Sequence, residues 1–159
     1  MNISIFCIGN KILYTKSDYV LSYNFFDFFT YNFFLLMNKF NGIGLAAPQV
    51  GLLKKFFLCI FIDDNGFFIN KIYINPYIFY RSFNLLFSGY EGCLSVPKFY
   101  GLVNRYKDIG VFYVDKFDKF FYIYLNELNS RVIQHEFDHL NGILFISRLF
   151  SVRIIIYVI

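Results

Sequence analysis

The sequence of 159 residues has few charges and no uninterrupted apolar run of the length that crosses a membrane. Its most apolar stretches are residues 25–40, which Asp27 and Lys39 interrupt, and residues 154–159, which follow Arg153. A membrane-spanning helix needs about 20 predominantly apolar residues, so we expect no membrane association. Because 57% of the residues are hydrophobic and only 16% are charged, the chain is not disordered, and its length predicts one domain over residues 1–159.

Cysteine is scarce, and the basic residues form no large cluster. Three cysteines, an odd number, make a poor disulfide framework, and no secretory signal opens the chain. We therefore expect a reducing compartment, either the bacterial cytoplasm or an organellar matrix. The net charge of +4 reflects dispersed lysines, with no basic run longer than Lys54–Lys55, so we expect no direct nucleic-acid site.

The least common residue types are not scattered along the chain. Phe, Tyr, Ile, Asn and Lys make up just over half of it, and all five have A/T-rich codons, so we attribute the many aromatic residues to base composition. Ala, Gln and His occur only twice each, and all six residues lie in three short segments: 42–51 (GIGLAAPQVG), 91–97 (EGCLSVP) and 134–140 (QHEFDHL). This clustering indicates that the three segments carry the function.

Apolar periodicity predicts two helices. In residues 25–40 apolar side chains recur at spacings of three and four, which is typical of a helix with one face in the core, and the helix should end before Asn41. Residues 127–140 have the same spacing, and Gly142 is placed to end that helix.

Two pairs of strands are predicted between and after these motifs. Residues 56–62 and a run from Phe67 are rich in strand-forming types, and the turn residues 63–66 between them end in Asn-Gly, a strong hairpin signal. Residues 109–114 and 119–125 repeat the pattern around a polar turn. The predicted fold class is α+β, with antiparallel β-sheets packed around a central helix that carries the segment HEFDH.

The spacing of the two histidines predicts a metal site. His135 and His139 are four residues apart on the predicted helix, so their imidazoles lie on one face, and Glu136 can reach an open coordination position as a base. A catalytic divalent site takes three protein ligands and keeps one position open. The 20 residues after His139 contain no Asp, Glu, His or Cys, so the third ligand must come from upstream.

Cys93 is the best candidate for the third ligand, because glycine and polar residues surround it in EGCLS. Cys7 and Cys59 lie in apolar, strand-like runs, where a buried and unreactive thiol is expected. The predicted ligand set is Cys93, His135 and His139, with a water at the open position. Two histidines on one helix face without a metal are the alternative.

The segments GIGLAAPQ, EGCLS and QHEFDH resemble, in the right order, the three signature motifs of the peptide deformylase family. The resemblance implies a metal-dependent hydrolase that removes the N-formyl group from the N-terminal formylmethionine of new polypeptides and releases formate. It also implies that Cys93, His135 and His139 bind the metal and that Glu136 is the general acid and base. Family members commonly use Fe²⁺, and Zn²⁺ is the alternative for this set of donors.

The resemblance also implies a binding site for the substrate. Gln49 and the backbone N–H of Leu94 would donate to the carbonyl oxygen as it gains charge. Gly42 and Gly44 let another backbone approach closely, which suits an extended peptide that pairs with this segment as an added strand; two turn glycines are the alternative. Ile43, between them, would line the pocket for the methionine side chain.

Polar residues in and near the motifs are expected to support the metal ligands. We predict that Glu91, Gln134 and Asp138 orient the ligand side chains, because metal-bound histidines usually hydrogen-bond to a second group. Arg105 is the predicted ion-pair partner of a buried carboxylate.

The chain departs from the family pattern at three places. Lys98 or Tyr100 stands where bacterial members often have an arginine that holds the peptide backbone, and Arg131 stands where an apolar residue usually lies near the methionine pocket. Arg153 and residues 154–159 replace a charged C-terminal extension that docks some members on the ribosome. The expected partners are formylmethionyl nascent peptides and the ribosome.

Two other functions are compatible with parts of the pattern. A zinc endoprotease shares HExxH, but such enzymes usually take the third ligand downstream of the helix, where this chain offers none. A protein of the same fold that only binds metal or a partner is the second alternative. The complete set of ligands, base and glutamine favours an active enzyme over both.

Overall fold

The computed structural model describes residues 4–22, 26–62 and 65–151. These ranges contain the helices α1 (Phe26–Lys39) and α2 (Glu127–Leu140) and eight strands: β1 (Gly44–Ala46), β2 (Phe56–Ile62), β3 (Phe68–Arg81), β4 (Leu86–Cys93), β5 (Val96–Tyr106), β6 (Asp108–Val114), β7 (Phe120–Asn126) and β8 (Leu149–Ser151). Short 3-10 helices span Lys11–Tyr14, Ala47–Val50 and Phe145–Arg148. Over the described ranges, neither helix has both the length and the apolar character needed to span a bilayer.

The strands form two antiparallel sheets, which confirms the predicted α+β class. One sheet has the order β1-β2-β3-β6-β7, and the other has the order β4-β5-β8. The predicted hairpins join β2 to β3 and β6 to β7. Residues 63 and 64 of the first turn lie outside the described residues. In the second turn the Asp115 carboxylate accepts hydrogen bonds from the N–H groups of Phe117 and Lys119, at 2.8 and 2.9 Å.

The five-stranded sheet has an apolar cluster on each face. Side chains of successive strand residues point to opposite faces, so β2 and β3 contribute to both clusters. One cluster combines α1 with Phe56, Leu58, Ile72 and Ile74. The other combines α2 with Phe57, Cys59, Tyr73 and Val111.

Helix α2 occupies the central position that its motif predicts. It contacts β1, β2, β6 and β7 of the larger sheet and β5 of the smaller one, and its apolar side chains Val132, Ile133 and Leu140 enter the core. The helix ends at Leu140, and Gly142 follows with a φ of +72° and donates its N–H to the carbonyl of His139 at 3.1 Å. The predicted role of Gly142 as a helix terminator is confirmed.

Helix α1 buries the apolar face that its periodicity predicts. Phe33 and Met37 are fully buried, and the Phe33 ring lies 5.4 Å from the ring of Phe56 on β2. Phe25, the first residue of the predicted stripe, lies outside the described residues. The helix therefore covers one face of the larger sheet and takes no part in the metal site.

Of the two cysteines that were expected to be buried, one is buried and one is exposed. Cys59 is buried on β2, as predicted, but Cys7 is exposed and belongs to no strand, so the prediction for Cys7 was wrong. The backbone N–H groups of Phe6 and Ile8 bond to the carbonyls of Gln49 and Ser95, both at 2.7 Å, and hold this segment on the surface. An apolar sequence favours a strand, but it does not provide the second layer that would cover the thiol.

We expect Phe33→Ala to lower the free energy of unfolding by about 3–5 kcal/mol, because the variant loses a fully buried ring and leaves a cavity. Leu35→Ala is the matched control in the same helix, since Leu35 is exposed and its truncation should change stability by at most about 0.5 kcal/mol. Urea unfolding followed by circular dichroism measures both values. Equal losses in the two variants would contradict the buried face assigned to α1.

Candidate active site

The structure brings the three predicted metal ligands together. Cys93 is the last residue of β4, and His135 and His139 lie one helical turn apart on α2. One ligand atom from each of these residues lies within 4.8 Å of those of the other two, and the Cys93 sulfur is 3.2 Å from Nε2 of His139. Three donors at these distances leave a fourth position for water or substrate, as catalytic sites require.

The charges around the two imidazoles suit a divalent cation. Burial lowers the pKa of His135, but hydrogen bonds with Cys93 and Glu91 outweigh it and raise the pKa to about 10, so the surroundings favour positive charge there. Burial holds the pKa of His139 well below its usual range, which keeps this imidazole in the neutral form that binds metals. Together with the Cys93 sulfur, these two imidazoles fit the divalent metal ion that the motifs imply.

Glu91 contacts the His135 imidazole at Nδ1 and is itself held by two arginines. Its Oε2 lies 2.9 Å from Nδ1 of His135 and accepts from Arg105 at 2.8 Å, while Oε1 accepts from Arg105 at 2.9 Å and from Arg131 at 2.8 Å. Burial alone would raise the pKa of Glu91, but the bonds from Arg105 and His135 hold it well below its usual range. The carboxylate is therefore ionised and holds the imidazole through Nδ1, so Nε2 is the nitrogen that would bind a metal.

The other predicted supporting residues act less directly. Asp138 accepts from Arg105 at 2.5 Å and also pairs with Arg148, so it fixes an arginine and does not contact a ligand itself. Gln134 bonds to both backbone groups of Tyr106 and to the Ser130 hydroxyl, so its predicted role in orienting a ligand was wrong. Gln134 and its neighbour His135 point to different sides of α2. The hydrogen bonds of Gln134 to Tyr106 connect α2 to β5.

Glu136 lies against the glycine-rich segment. Its carboxylate occupies the space beside Gly44, where an added Cβ would overlap Oε1. Among the described residues Oε2 has no hydrogen-bond partner, and burial raises the pKa of this carboxyl to about 7. A buried carboxyl that titrates near neutrality can both accept and donate a proton.

Gln49 is held with its amide nitrogen towards Cys93. It lies on the short helix Ala47–Val50, and its Oε1 accepts from the N–H of Ala46 at 2.8 Å. Its Nε2 donates to the Ser95 hydroxyl at 3.1 Å and contacts the Cys93 sulfur at 3.5 Å. Sequence reasoning did not single out Ser95, although its position in EGCLS was a signal.

A cleft of about 710 Å³ joins these groups. Its lining includes all the predicted catalytic and substrate-binding residues, namely Gly42, Ile43, Gly44, Gln49, Leu94 and Glu136. Ile43 is about half exposed, and an added Cβ at Gly42 would come within 2.8 Å of the Leu94 side chain. The close approach of Leu94 to Gly42 and of Glu136 to Gly44 explains why both positions are glycine. Strand β1, which begins at Gly44, is an edge strand of the larger sheet.

Lys98, Tyr100 and Arg131, which depart from the family pattern, also line the cleft. Lys98 has a left-handed φ of 68°, and the ring of Tyr100 packs where a Cβ of Gly92 would lie. Arg131 is buried beneath the cleft in the contact with Glu91, instead of standing at an exposed rim.

A sequence model of the family described as polypeptide deformylase matches residues 3–153. The chain belongs to the polypeptide deformylase family. It is 35% identical over 158 residues to the peptide deformylase of Karelsulcia muelleri, covering 96% of this chain and 81% of that protein. Family membership confirms the function that the three motifs predict, which is metal-dependent removal of the N-formyl group from nascent polypeptides.

Solved deformylase structures share the whole fold. The peptide deformylase of Thermotoga maritima superposes with a TM-score of 0.87 at 31% identity and covers 94% of this chain and 98% of its own. A class I type b peptide deformylase from Acinetobacter baumannii, solved with Met-Ala-Ser bound, has a TM-score of 0.86 at 28% identity, with coverage of 94% and 99%. The deformylase fold therefore extends across nearly all of this chain.

We expect Gly44→Ala to reduce kcat/KM for deformylation at least about 100-fold, because its new methyl group would displace the Glu136 carboxylate. Gly66→Ala is the control for a loss of stability without a clash. Its Cβ would meet no atom within 4 Å, but an alanine at a φ of +83° destabilises the fold. Steady-state kinetics and thermal unfolding of both variants separate the two effects. A Gly44→Ala enzyme with normal turnover would show that Glu136 does not need this space.

Proposed function

We propose that the chain deformylates formylmethionyl peptides with Glu136 as general acid and base and with Gln49 and Leu94 as donors to the substrate oxygen. The observation that carries this assignment is the buried Glu136 carboxylate, which lies against Gly44 in the same cleft as Cys93 and His135. A base beside an edge strand and three metal donors suits hydrolysis of an amide at the end of an extended peptide.

We assign one divalent ion to Cys93, His135 and His139, with Fe²⁺ as the physiological metal and Zn²⁺ as the alternative. A thiolate and two imidazoles suit both ions, because softness and geometry distinguish them less than availability does. When bound, such an ion activates water at neutral pH and polarises the carbonyl group. The choice of Fe²⁺ rests on the resemblance of the three motifs.

The substrate enters as an extended chain beside Gly42 and Gly44, with its methionine side chain against Ile43. Edge strand β1 offers backbone groups for pairing, and the missing side chains at Gly44 and Gly42 let the Glu136 carboxylate and the Leu94 side chain lie against this segment. The Acinetobacter baumannii relative, solved with Met-Ala-Ser bound, supports a peptide with an amino-terminal methionine as the ligand of this cleft.

Glu136 takes a proton from the attacking water as the water oxygen bonds to the formyl carbon. The carbonyl oxygen gains negative charge in this step, and the Gln49 amide and the Leu94 N–H donate hydrogen bonds to it. Glu136 then gives its proton to the departing amine nitrogen as the carbon–nitrogen bond breaks. Formate and a peptide with a free amino terminus are the products.

The cellular setting follows from the substrate. Formylated amino termini belong to newly made chains, so we propose action on nascent chains at the ribosome, in the bacterial cytoplasm or an organellar matrix. Residues 154–159, which stand in place of a charged extension, lie outside the described residues. Cosedimentation of the protein with ribosomes that carry formylmethionyl chains would test the contact.

Glu136→Gln tests the assignment of the base. The variant should retain the metal and release formate from a formylmethionyl tripeptide at least about 100-fold more slowly than the parent, because it cannot transfer the proton. Both proteins are purified anaerobically with Fe²⁺, and metal content is measured beside formate release. Loss of metal in the variant would make Glu136 a structural residue, and a folded, metal-loaded parent without activity would contradict the proposed function.

A pair of cysteine variants tests the ligand set. Cys93→Ala should abolish stoichiometric metal binding, because two remaining imidazoles form an incomplete site. Cys7→Ala should bind metal like the parent, since Cys7 is exposed and outside the cluster of donors. Elemental analysis after dialysis gives the metal content of each protein, and the reverse pattern would move the third ligand to Cys7.

A further inference from the structure

The metal donors come from two parts of the fold that share no hydrogen-bonded ladder. Cys93 ends β4 in the three-stranded sheet, whereas His135 and His139 lie on α2 after the end of β7 in the five-stranded sheet. The distance from the sulfur to the imidazoles therefore depends on how β4 lies against α2. Side chains that connect these two elements include Arg131 and His135 of α2, which both bond to Glu91 on β4.

Arg131 of α2 makes four hydrogen bonds to residues of β4 and β5. Its Nη1 donates to Oε1 of Glu91 at 2.8 Å, to the carbonyl of Val103 on β5 at 3.0 Å and to the carbonyl of Gly89 on β4 at 3.3 Å. Its Nη2 donates to the carbonyl of Phe87, also on β4. One side chain of α2 thus binds three backbone carbonyls in two neighbouring strands and the carboxylate behind His135.

The surroundings of the guanidinium are shaped to receive it. Arg131 is 5% exposed, and its guanidinium lies 5.1 Å from the centre of the Phe87 ring. An added Cβ at Gly89 would come within 3.0 Å of the guanidinium carbon and of Nη2, so glycine leaves the space for this group. A planar guanidinium can donate in several fixed directions at once, which a lysine ammonium cannot reproduce.

Arg105 does not duplicate this function. Its bonds run to the carboxylates of Glu91 and Asp138 and join two acidic side chains; among the described residues its side chain has no hydrogen bond to the backbone of β4. Removal of Arg131 would leave Glu91 with Arg105 but would free three carbonyls of the smaller sheet from α2. The position of β4, and of Cys93 at its end, would then be less defined.

We propose that Arg131 is a positioning residue that sets the separation of Cys93 from His135 and His139 by fixing β4 on α2 and Glu91 behind His135. The inference rests on the proposed function in one respect, namely that these three residues bind the metal. Arg131 acts through β4 and Glu91 and does not itself bind the ion. A competing role is that Arg131 only forms a wall of the substrate cleft.

Metal binding by three variants of the full chain tests the proposal, with Co²⁺ alone as the probe. Arg131→Met keeps an unbranched stem and removes the charge and the donors, Arg131→Lys keeps the charge, and Lys107→Met is the control. Lys107 forms an exposed ion pair with Glu127 at the first residue of α2, at 3.6 Å. Affinity is measured by competition with a chromophoric chelator, and the cobalt–thiolate absorption band is recorded for each protein.

We expect Arg131→Met to bind Co²⁺ about 10- to 100-fold more weakly than the parent and to show a weaker or shifted cobalt–thiolate band. Arg131→Lys should restore part of the affinity, and Lys107→Met should match the parent in both measurements. With saturating metal, Arg131→Met should lower kcat more than it raises KM, because the ligands and not the cleft are disturbed.

Parent-like affinity and spectrum in folded Arg131→Met would overturn the proposal. A raised KM with an unchanged spectrum would do the same and would assign Arg131 to the cleft wall. If Arg131→Met does not fold, the folded Arg131→Lys variant decides by the same two measurements. Failure of the parent itself to bind Co²⁺ would instead contradict the ligand set, and the inference with it.

Discussion

The buried carboxylate of Glu91 is the interaction on which the rest of the site depends. A charge removed from water is tolerated only when other charges and donors surround it, and Glu91 receives both guanidinium groups of Arg105 and Arg131 as well as the imidazole of His135. Among the described residues, loss of this carboxylate would leave the buried Arg131 without an anionic partner and Arg105 with Asp138 alone. The same bonds that keep Glu91 ionised also give His135 a fixed orientation.

The position of Glu91 on β4 links this charge cluster to the donor set. Cys93 lies two residues further along the same strand, so the strand that orients one ligand also carries another. Arg105 extends the cluster to Asp138, the neighbour of His139 on α2. The ion pairs therefore reach the helix beside both histidines, and the metal donors are held by charge as well as by apolar packing.

Two glycines decide how closely the proposed catalytic groups approach residues 42–44. Glu136 is buried, and its carboxylate fits only because Gly44 has no side chain, while the Leu94 side chain lies in the corresponding space beside Gly42. Burial of the carboxyl raises its pKa to about 7, so the contact that brings the base to the edge strand also gives it a useful proton affinity. The same packing thus sets both the pKa of the Glu136 carboxyl and its position against β1.

The two α-helices, two hairpins and the chemical types of the site residues could be predicted from the sequence. The spacing of His135 and His139, the hairpin signals and the end of α2 before Gly142 depend on neighbours within a few residues, so local patterns were enough to predict them. The exposure of Cys7, the bonds of Gln134 to Tyr106 and the burial of Arg131 under Glu91 came only from the tertiary structure. These features depend on contacts between segments far apart in the chain, and local periodicity carries no information about which segments will pack against each other.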